Sequence, residues 1–394
     1  MSGKTISSNS RLPELDGLRA MAILLVLLSH HLLTIPIAWI RYIIEMGWVG
    51  VDLFFVLSGF LIGGILLDQR TATNYYGVFY LRRFLRIVPL YGLLVVPGLL
   101  ILGVGLQSLF AGHSLGSQSM AGMWFCALFL QNVGLSFGYG VPGYLGPTWS
   151  VAVEEQFYLL LPPLVRYLNV KTLMKVLVAA ILFAPVLRGI LIFAFGDTGD
   201  TGNNGNPVSR ICYFLLPCRW DSLLLGVVCA IAYRDDRGQK WITQQLRGLQ
   251  IFWCVSALGS IVLLFSSQGH LDPRLGFLGY SVIDVWFACT LLLAVVNPAG
   301  GLHRFLSLPA FKPVATVSYG LYLLQSPAAA LVETPIRLAH IQYPKIGWTA
   351  TGVSLLGVML TVVAAAISWK FYESRMIRMG HQHRYLQPAS TKAE

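Results

Sequence analysis

The sequence predicts an all-α, polytopic membrane protein of about ten transmembrane helices plus one re-entrant or interfacial segment over 121–137. Three observations predict it. Only 28 Lys and Arg and 17 Asp and Glu occur in 394 residues, 11% of the chain, against roughly 25% in a soluble domain, too few to coat a water-facing surface. Hydrophobic residues make up 56% and the mean hydropathy is +0.67. The apolar residues also gather into repeated runs long enough to cross a bilayer as helices. This composition excludes a disordered chain and a secreted disulfide scaffold. A net charge of +11 could point to nucleic acid, but in a membrane protein an excess of Lys and Arg marks cytoplasmic loops, so its distribution decides.

In order, the apolar segments are 19–37, 48–67, 87–106, 121–137, 149–165, 173–195, 211–233, 250–267, 277–296, 314–332 and 346–369. The polar tail before them, residues 1–18, runs into the first segment without a small-residue cleavage site and is expected to be a retained cytoplasmic end. If all eleven segments crossed, the loop with Arg166, Lys171 and Lys175 would lie outside and each later loop would invert against the positive-inside rule. Segment 121–137 is therefore expected not to cross. It is short, flanked by Gly-rich stretches, and lies in a tract from Ile87 to Val153 with no Asp, Glu, Lys or Arg. Ten spans then place 21 Lys and Arg inside, five outside and two within spans, with both termini cytoplasmic. The expected division is a tail over 1–18, a transmembrane domain over 19–369 and a cytoplasmic tail over 370–394. The Gly/Asn-rich stretch GDTGDTGNNGNPVS is read as a solvated outer loop. The six cysteines lack CxxC spacing and sit in or beside apolar runs, as packing thiols do, and no metal site is implied.

Ionisable groups inside a bilayer are costly and face a protein interior or a water cavity. At about 1.5 Å per residue, His30, Asp52, Glu154, Arg188, Arg219, Asp221 and Asp284 fall in one layer roughly 7 to 15 Å below the outer boundary. An internal salt-bridge layer accounts for Arg188 and Asp284, and Arg219 with Asp221 is expected as a structural pair shaping the cavity. His30 is the candidate general base, with Asp52 expected to orient its imidazole. His31, about 100° away around the helix, cannot share its face. Arg19 lies eleven residues before His30, close to three turns, so the two occupy one stripe, with Arg19 at the cytoplasmic edge.

Two further constellations carry chemistry. Arg82, Arg83 and Arg86 in FYLRRFLRIVPLY put three guanidiniums into five residues at the inner end of a span, and Arg grips phosphate bidentately. In PTWSVAVEEQFYLLLPP, Ser150, Glu154 and Tyr158 follow at i, i+4 and i+8 and form one polar stripe, while Glu155 turns away. Such a stripe needs a polar interior cavity.

Together these residues resemble the integral membrane acyltransferase family 3. The resemblance runs from about Leu12 to Glu373 through seven segments in order: ELDGLRAMAILLVLLSHH, GVDLFFVLSGFLI, FYLRRFLRIVPLY, TWSVAVEEQFYLLLP, CRWDSLLLG, SYGLYLLQSP and FYE. It implies acyl transfer onto extracytoplasmic sugars or small molecules, from cytoplasmic acyl coenzyme A, often acetyl coenzyme A, used as a co-substrate and not as a bound cofactor. It also implies that Arg19, His30, Arg83 and Arg86 are the essential positions, with Ser150, Glu154 and Tyr158 lining the same site. Two positions depart from the family. Gln325 stands where His is usual, so it can hydrogen-bond but not transfer protons. The last motif reads Glu373, Ser374, Arg375 where Glu, a basic residue and Pro are usual.

The expected reaction places the coenzyme phosphates on Arg83 and Arg86 and threads the pantetheine arm past Arg19. His30 deprotonates an acceptor hydroxyl, with Glu154 and Ser150 binding acceptor hydroxyls. The layer crowded with polar groups favours acetyl over longer chains. The rival is a transporter or exporter of a polysaccharide precursor or small molecule, since carriers also bind substrates in a charged midplane layer. Inverted repeats, common in carriers, are not detectable here. A third reading is a flippase-like scaffold with a degenerate site.

Overall fold

The computed structural model describes residues 12–103, 120–196, 206–267, 269–339, 341–342 and 344–388, and all regular elements among them are helices. They are α1 (Pro13–His31), α2 (Ala38–Glu45), α3 (Gly50–Asp68), α4 (Tyr75–Gly103), α5 (Met120–Ala127), α6 (Gln131–Ser136), α7 (Trp149–Tyr167), α8 (Val170–Phe195), α9 (Pro207–Phe214) and α10 (Leu216–Arg234). There follow α11 (Asp236–Gln244), α12 (Leu246–Ser266), α13 (Tyr280–Val296), α14 (Gly301–Leu306), α15 (Phe311–Thr316), α16 (Ser318–Leu338), α17 (Trp348–Ser368) and α18 (Ser374–Gln382). Most of the Gly/Asn-rich loop lies outside the described residues.

The first helix starts six residues before the expected 19. Pro13 occupies its first turn with Glu14 and Asp16, a position where proline costs no hydrogen bond and carboxylates meet the positive end of the dipole. Hydropathy alone hides that turn because its side chains are polar.

Seven helical stretches among the described residues are long and apolar enough to cross a membrane. Helices α1, α7 and α16, at 19, 19 and 21 residues, are also long enough to cross but carry the polar residues singled out above. The count separates on composition: α1 and α7 each hold three charged residues, and α16 holds Gln325, Glu333 and two prolines.

Burial sorts the apolar stretches into centre and rim. The span Ala38–Asp68 has 78% of its apolar window inside the protein, whereas Val170–Phe195 and Leu246–Ser266 have 22% and 17%. Phe183, Val186 and Phe193 of α8 and Phe252, Val255 and Leu258 of α12 are exposed, as side chains facing lipid would be. At the centre, α3 and α10 touch backbone to backbone. A Cβ on Gly59 would sit 1.8 Å from the Leu223 carbonyl oxygen, and one on Gly226 2.1 Å from that of Val56. Small residues permit such helix contact in a membrane, and this one sets Asp52 against Arg219.

Segment 121–137 does not form one helix. It divides into α5 and α6, of eight and six residues, with Phe129 between them in the left-handed region at φ 54°. Eight residues rise about 12 Å, too little to cross. The segment instead docks polar groups inward: Gln131 donates to the Thr148 carbonyl at 2.8 Å, and Gln156 donates to Asn132 at 2.7 Å.

The stretch expected as a tail from 370 is helical to Gln382. After a π turn over Trp369–Glu373, α18 continues, because Arg375 stands where proline would stop the helix. The chain then straps onto the loop before α4. Arg82 donates through Nε and Nη2 to the His383 carbonyl at 3.2 and 2.6 Å, Asn74 donates to the Arg384 carbonyl, and the Leu386 amide donates to Asn74.

Candidate functional site

Six helices enclose a cavity of about 320 Å³. Its lining includes Arg19, Arg83, Arg86, Ser150, Glu154 and Tyr158, so residues spread over more than 130 positions of sequence meet in one place. Each helix enters it in a consistent sense. On α3 the lining runs from Ile65 back to Phe54, on α7 from Tyr158 back to Ser150, and on α16 from Ser318 forward to Tyr322. Arg83, Arg86 and His381 stand at one end, and Phe54, Ser150 and Tyr322 at the other.

The α7 stripe is a wired chain. Tyr158 donates to Glu154 Oε2 at 3.2 Å, so its oxygen accepts from Ser58, 2.5 Å away. The cationic end remains receptive. The buried Nε of Arg83 has no hydrogen-bond partner among the described residues, while Arg19 lies 3.3 Å from Asp16. Arg82 points elsewhere. Besides anchoring the strap it lies over the Tyr385 ring at 5.0 Å and lines a smaller adjoining cavity of about 60 Å³, which shares Ile65, Arg83, Arg86 and His381 with the larger one.

His30 is not part of the lining. Its Nδ1 lies 3.1 Å from Gln325 Oε1, and Gln325 Nε2 donates to the Tyr322 carbonyl at 3.0 Å. This pair of contacts determines the tautomer. A backbone carbonyl only accepts, so the amide nitrogen must face it, which turns the amide oxygen toward His30. His30 Nδ1 therefore carries the proton and Nε2 keeps its lone pair, the form a general base needs. Glutamine at the position where the family commonly has histidine thus serves as an orienting acceptor. His31, the next residue, is buried.

Two expected pairings are corrected. Asp52 does not orient His30: it forms an ion pair with Arg219, and both are fully buried. Arg219 does not pair with Asp221, which binds Arg188 at 3.0 Å and accepts from Ser281 at 2.6 Å. Two residues apart on α10, and so about 200° around its axis, Arg219 and Asp221 meet different neighbours, one toward α3 and the other toward α8 and α13. The single layer of seven groups also divides, because Glu154 belongs to the cavity and His30 lies beyond its Phe54, Ser150 and Tyr322 end. Asp284 is buried without a hydrogen-bond partner among the described residues.

Sequence reasoning missed Ser58, Tyr322, His381 and His270. Ser58 and Tyr322 sit within motif segments as ordinary helix positions, and His381 lies past the last motif. His270, in the loop between α12 and α13, packs its ring 4.7 Å from Tyr213 and 6.3 Å from Trp48. Burial pushes its imidazole down to about 4, and the nearby Arg219 guanidinium acts in the same direction. Tyr213 also faces Arg219, which lies 4.3 Å from the Tyr280 centroid and 5.4 Å from that of Tyr213. Among the described residues no three His, Cys, Asp or Glu side chains gather as metal ligands would, and the six cysteines are unpaired.

The chain is 29% identical over 400 residues to the peptidoglycan O-acetyltransferase OatA of Listeria monocytogenes, covering 96% of this chain and 58% of that one. It is 27% identical to the O-acetyltransferase OatA of Staphylococcus aureus strain NCTC 8325 and 28% identical to the putative peptidoglycan O-acetyltransferase YrhL of Bacillus subtilis, with 94% of this chain covered in each case. The chain thus spans between half and two thirds of the length of these relatives, at 55% to 58%. No solved structure matches. The family model described as an acyltransferase domain matches residues 12–370, nearly every described helix up to the π turn, and the chain belongs to that acyltransferase family.

Proposed function

We propose that the protein transfers an acetyl group from cytoplasmic acetyl coenzyme A to a hydroxyl of a cell-surface saccharide. A peptidoglycan sugar is the acceptor that the relatives' names suggest. The observation that carries the reading is the meeting of Arg19, Arg83 and Arg86 with the Ser150, Glu154 and Tyr158 stripe in one cavity, beside an imidazole held in the basic tautomer. The two guanidiniums of α4 would take the coenzyme phosphates, for which their fork geometry is suited. The pantetheine arm would lie along α3 and α7, bringing the thioester toward Ser150 and Tyr322. On the acceptor side His30 Nε2 takes the hydroxyl proton as the oxygen bonds to the thioester carbonyl carbon. The carbon–sulfur bond then breaks, and the imidazolium returns the proton to the departing thiolate. In this reading α1, α7 and α16 cross with the seven apolar stretches, ten spans in all. Both termini are cytoplasmic, and the membrane is the cytoplasmic (inner) membrane of a bacterium.

The test is the full chain, purified in detergent, incubated with acetyl coenzyme A labelled in the acetyl group and with muropeptide or chitooligosaccharide acceptors. O-acetylated sugar formed by the wild type and reduced on the order of a hundredfold or more in His30→Ala is the expected result. Transfer undiminished in His30→Ala removes the general base. Coenzyme binding without any acetyl ester on an acceptor would favour the carrier alternative.

A further inference from the structure

The cavity stops at the same level on three helices. Phe54 of α3, Ser150 of α7 and Tyr322 of α16 are its last lining residues, and Tyr322 joins them. Its ring meets Phe54 edge to face, with centroids 6.3 Å apart. Its hydroxyl lies 2.7 Å from Ser150 Oγ and donates to the Pro147 carbonyl, so Ser150 is the donor in the contact between the two hydroxyls. One helical turn beyond Tyr322 on α16 is Gln325, fully buried and bonded to His30. Two residues before Phe54 on α3 is Asp52, fully buried and paired with Arg219. The donor cavity therefore ends at the Tyr322 ring, and the imidazole is held from one helical turn further along the same helix.

We propose that Tyr322 is the partition between the donor cavity and His30, and that it sets the length of acyl chain the cavity accepts. The inference rests on the acyl coenzyme A reading above and extends it to chain specificity. A tyrosine held at both its ring and its hydroxyl cannot yield to a longer chain without losing two hydrogen bonds in an apolar setting, which is costly. An acetyl group ends where the partition begins, whereas each further methylene would have to enter the volume of the ring. Removing the ring should open that volume to apolar atoms, each buried methylene then favouring binding roughly fourfold. Transfer requires the ring to rotate away, so closure with no acceptor present also shields the thioester from water on the His30 side.

The experiment compares wild type, Tyr322→Phe and Tyr322→Ala as purified full-length chains, using S-ethyl and S-octyl coenzyme A as unreactive probes and acetyl coenzyme A for turnover. Wild type is expected to bind S-ethyl coenzyme A at least tenfold more tightly than the S-octyl compound. Tyr322→Ala should erase or reverse that preference and hydrolyse acetyl coenzyme A faster without acceptor. Tyr322→Phe keeps the ring and should keep the chain preference, while leaking more than wild type because its hydroxyl anchors are gone. Because the probes need no turnover, an inactive variant still reports, and thermal melting in detergent separates misfolding from loss of selectivity. If a folded Tyr322→Ala keeps the wild-type preference for the short chain, the partition is refuted while the donor reading stands. If the wild type binds neither probe, the donor reading fails and this inference falls with it.

Discussion

The exchange of partners at Asp52 can be tested by replacing it with asparagine, which keeps the shape and removes the charge. Asp52 and Arg219 are both fully buried, so the substitution leaves a guanidinium in the protein interior without its counter-ion. Breaking such a pair by removing one member costs about 3–5 kcal/mol. The Tyr280 and Tyr213 rings at 4.3 and 5.4 Å retain part of the stabilisation, since a desolvated cation over an aromatic face keeps on the order of 2 kcal/mol. The lower end, about 3 kcal/mol, is the expected loss, corresponding to roughly 4 °C in melting temperature for a chain of 394 residues. Thermal melting in detergent measures it, with Arg219→Met and the double substitution alongside. The double variant, with no net charge left unpaired, should recover more than half of the loss of Asp52→Asn, giving a coupling energy that neither single change displays. Activity at a temperature where the variant is folded should fall modestly, with the acidic limb of its pH profile unmoved. Unchanged melting together with a shifted acidic limb would mean that Asp52 acts on His30 after all, and the pairing described here would be wrong.

Other consequences follow from particular contacts. Gln325→Leu removes the acceptor that holds His30 Nδ1–H and should lower kcat by at least about tenfold with little change in donor KM; equal loss in both would mean that Gln325 only packs. His270 is held neutral by burial, its folded pKa of about 4 lying below the 6.5 of an exposed imidazole. It therefore costs nothing above pH 6.5, and the unfolded chain takes up the proton first as pH falls toward 4, which removes up to about 3 kcal/mol. His270→Asn should accordingly lose less melting temperature than wild type between pH 7 and 4.5, and identical acid profiles would contradict the burial argument. Arg82→Ala releases the strap at His383 and Tyr385, so amides of 383–387 should exchange faster while kcat changes less than threefold. A large kcat effect would return Arg82 to the donor site.

The spans were legible because lipid imposes a single demand on composition over about twenty residues, and α3, α8, α10, α12 and α13 satisfy it without exception. The two deviations have local causes that hydropathy does not weigh. At α1 the helix gains a turn from Pro13, Glu14 and Asp16, residues that look like tail on any hydrophobicity scale but suit a helix N-terminus. At 121–137 the apolar run is genuine, yet the break after α5 and the inward amides of Gln131 and Asn132 turn it into a docked segment. Charge bookkeeping over the loops required that one segment not cross, and the shortness and Gly-rich flanks of this run singled it out.

The site was legible in its membership and less so in its pairings. Spacing along one helix predicts which side chains share a face, so the Ser150, Glu154 and Tyr158 stripe and the Arg83 and Arg86 pair were available from residue numbers alone. Depth, in contrast, orders groups along the membrane normal and leaves their position around the bundle open. That is how Asp52 came to be matched with His30, its neighbour in depth, when the glycine contact between α3 and α10 turns it toward Arg219. It also explains why one layer of seven groups conceals two compartments. The Tyr322 ring is a few ångströms thick, less than the uncertainty of a depth assigned by counting residues, yet it separates the cationic cavity from the base. A protein that must keep a thioester from water until an acceptor arrives needs that separation to be thin, so that transfer requires one ring to move and not a helix. The feature that matters most for the chemistry is therefore of a size that a one-dimensional reading cannot resolve.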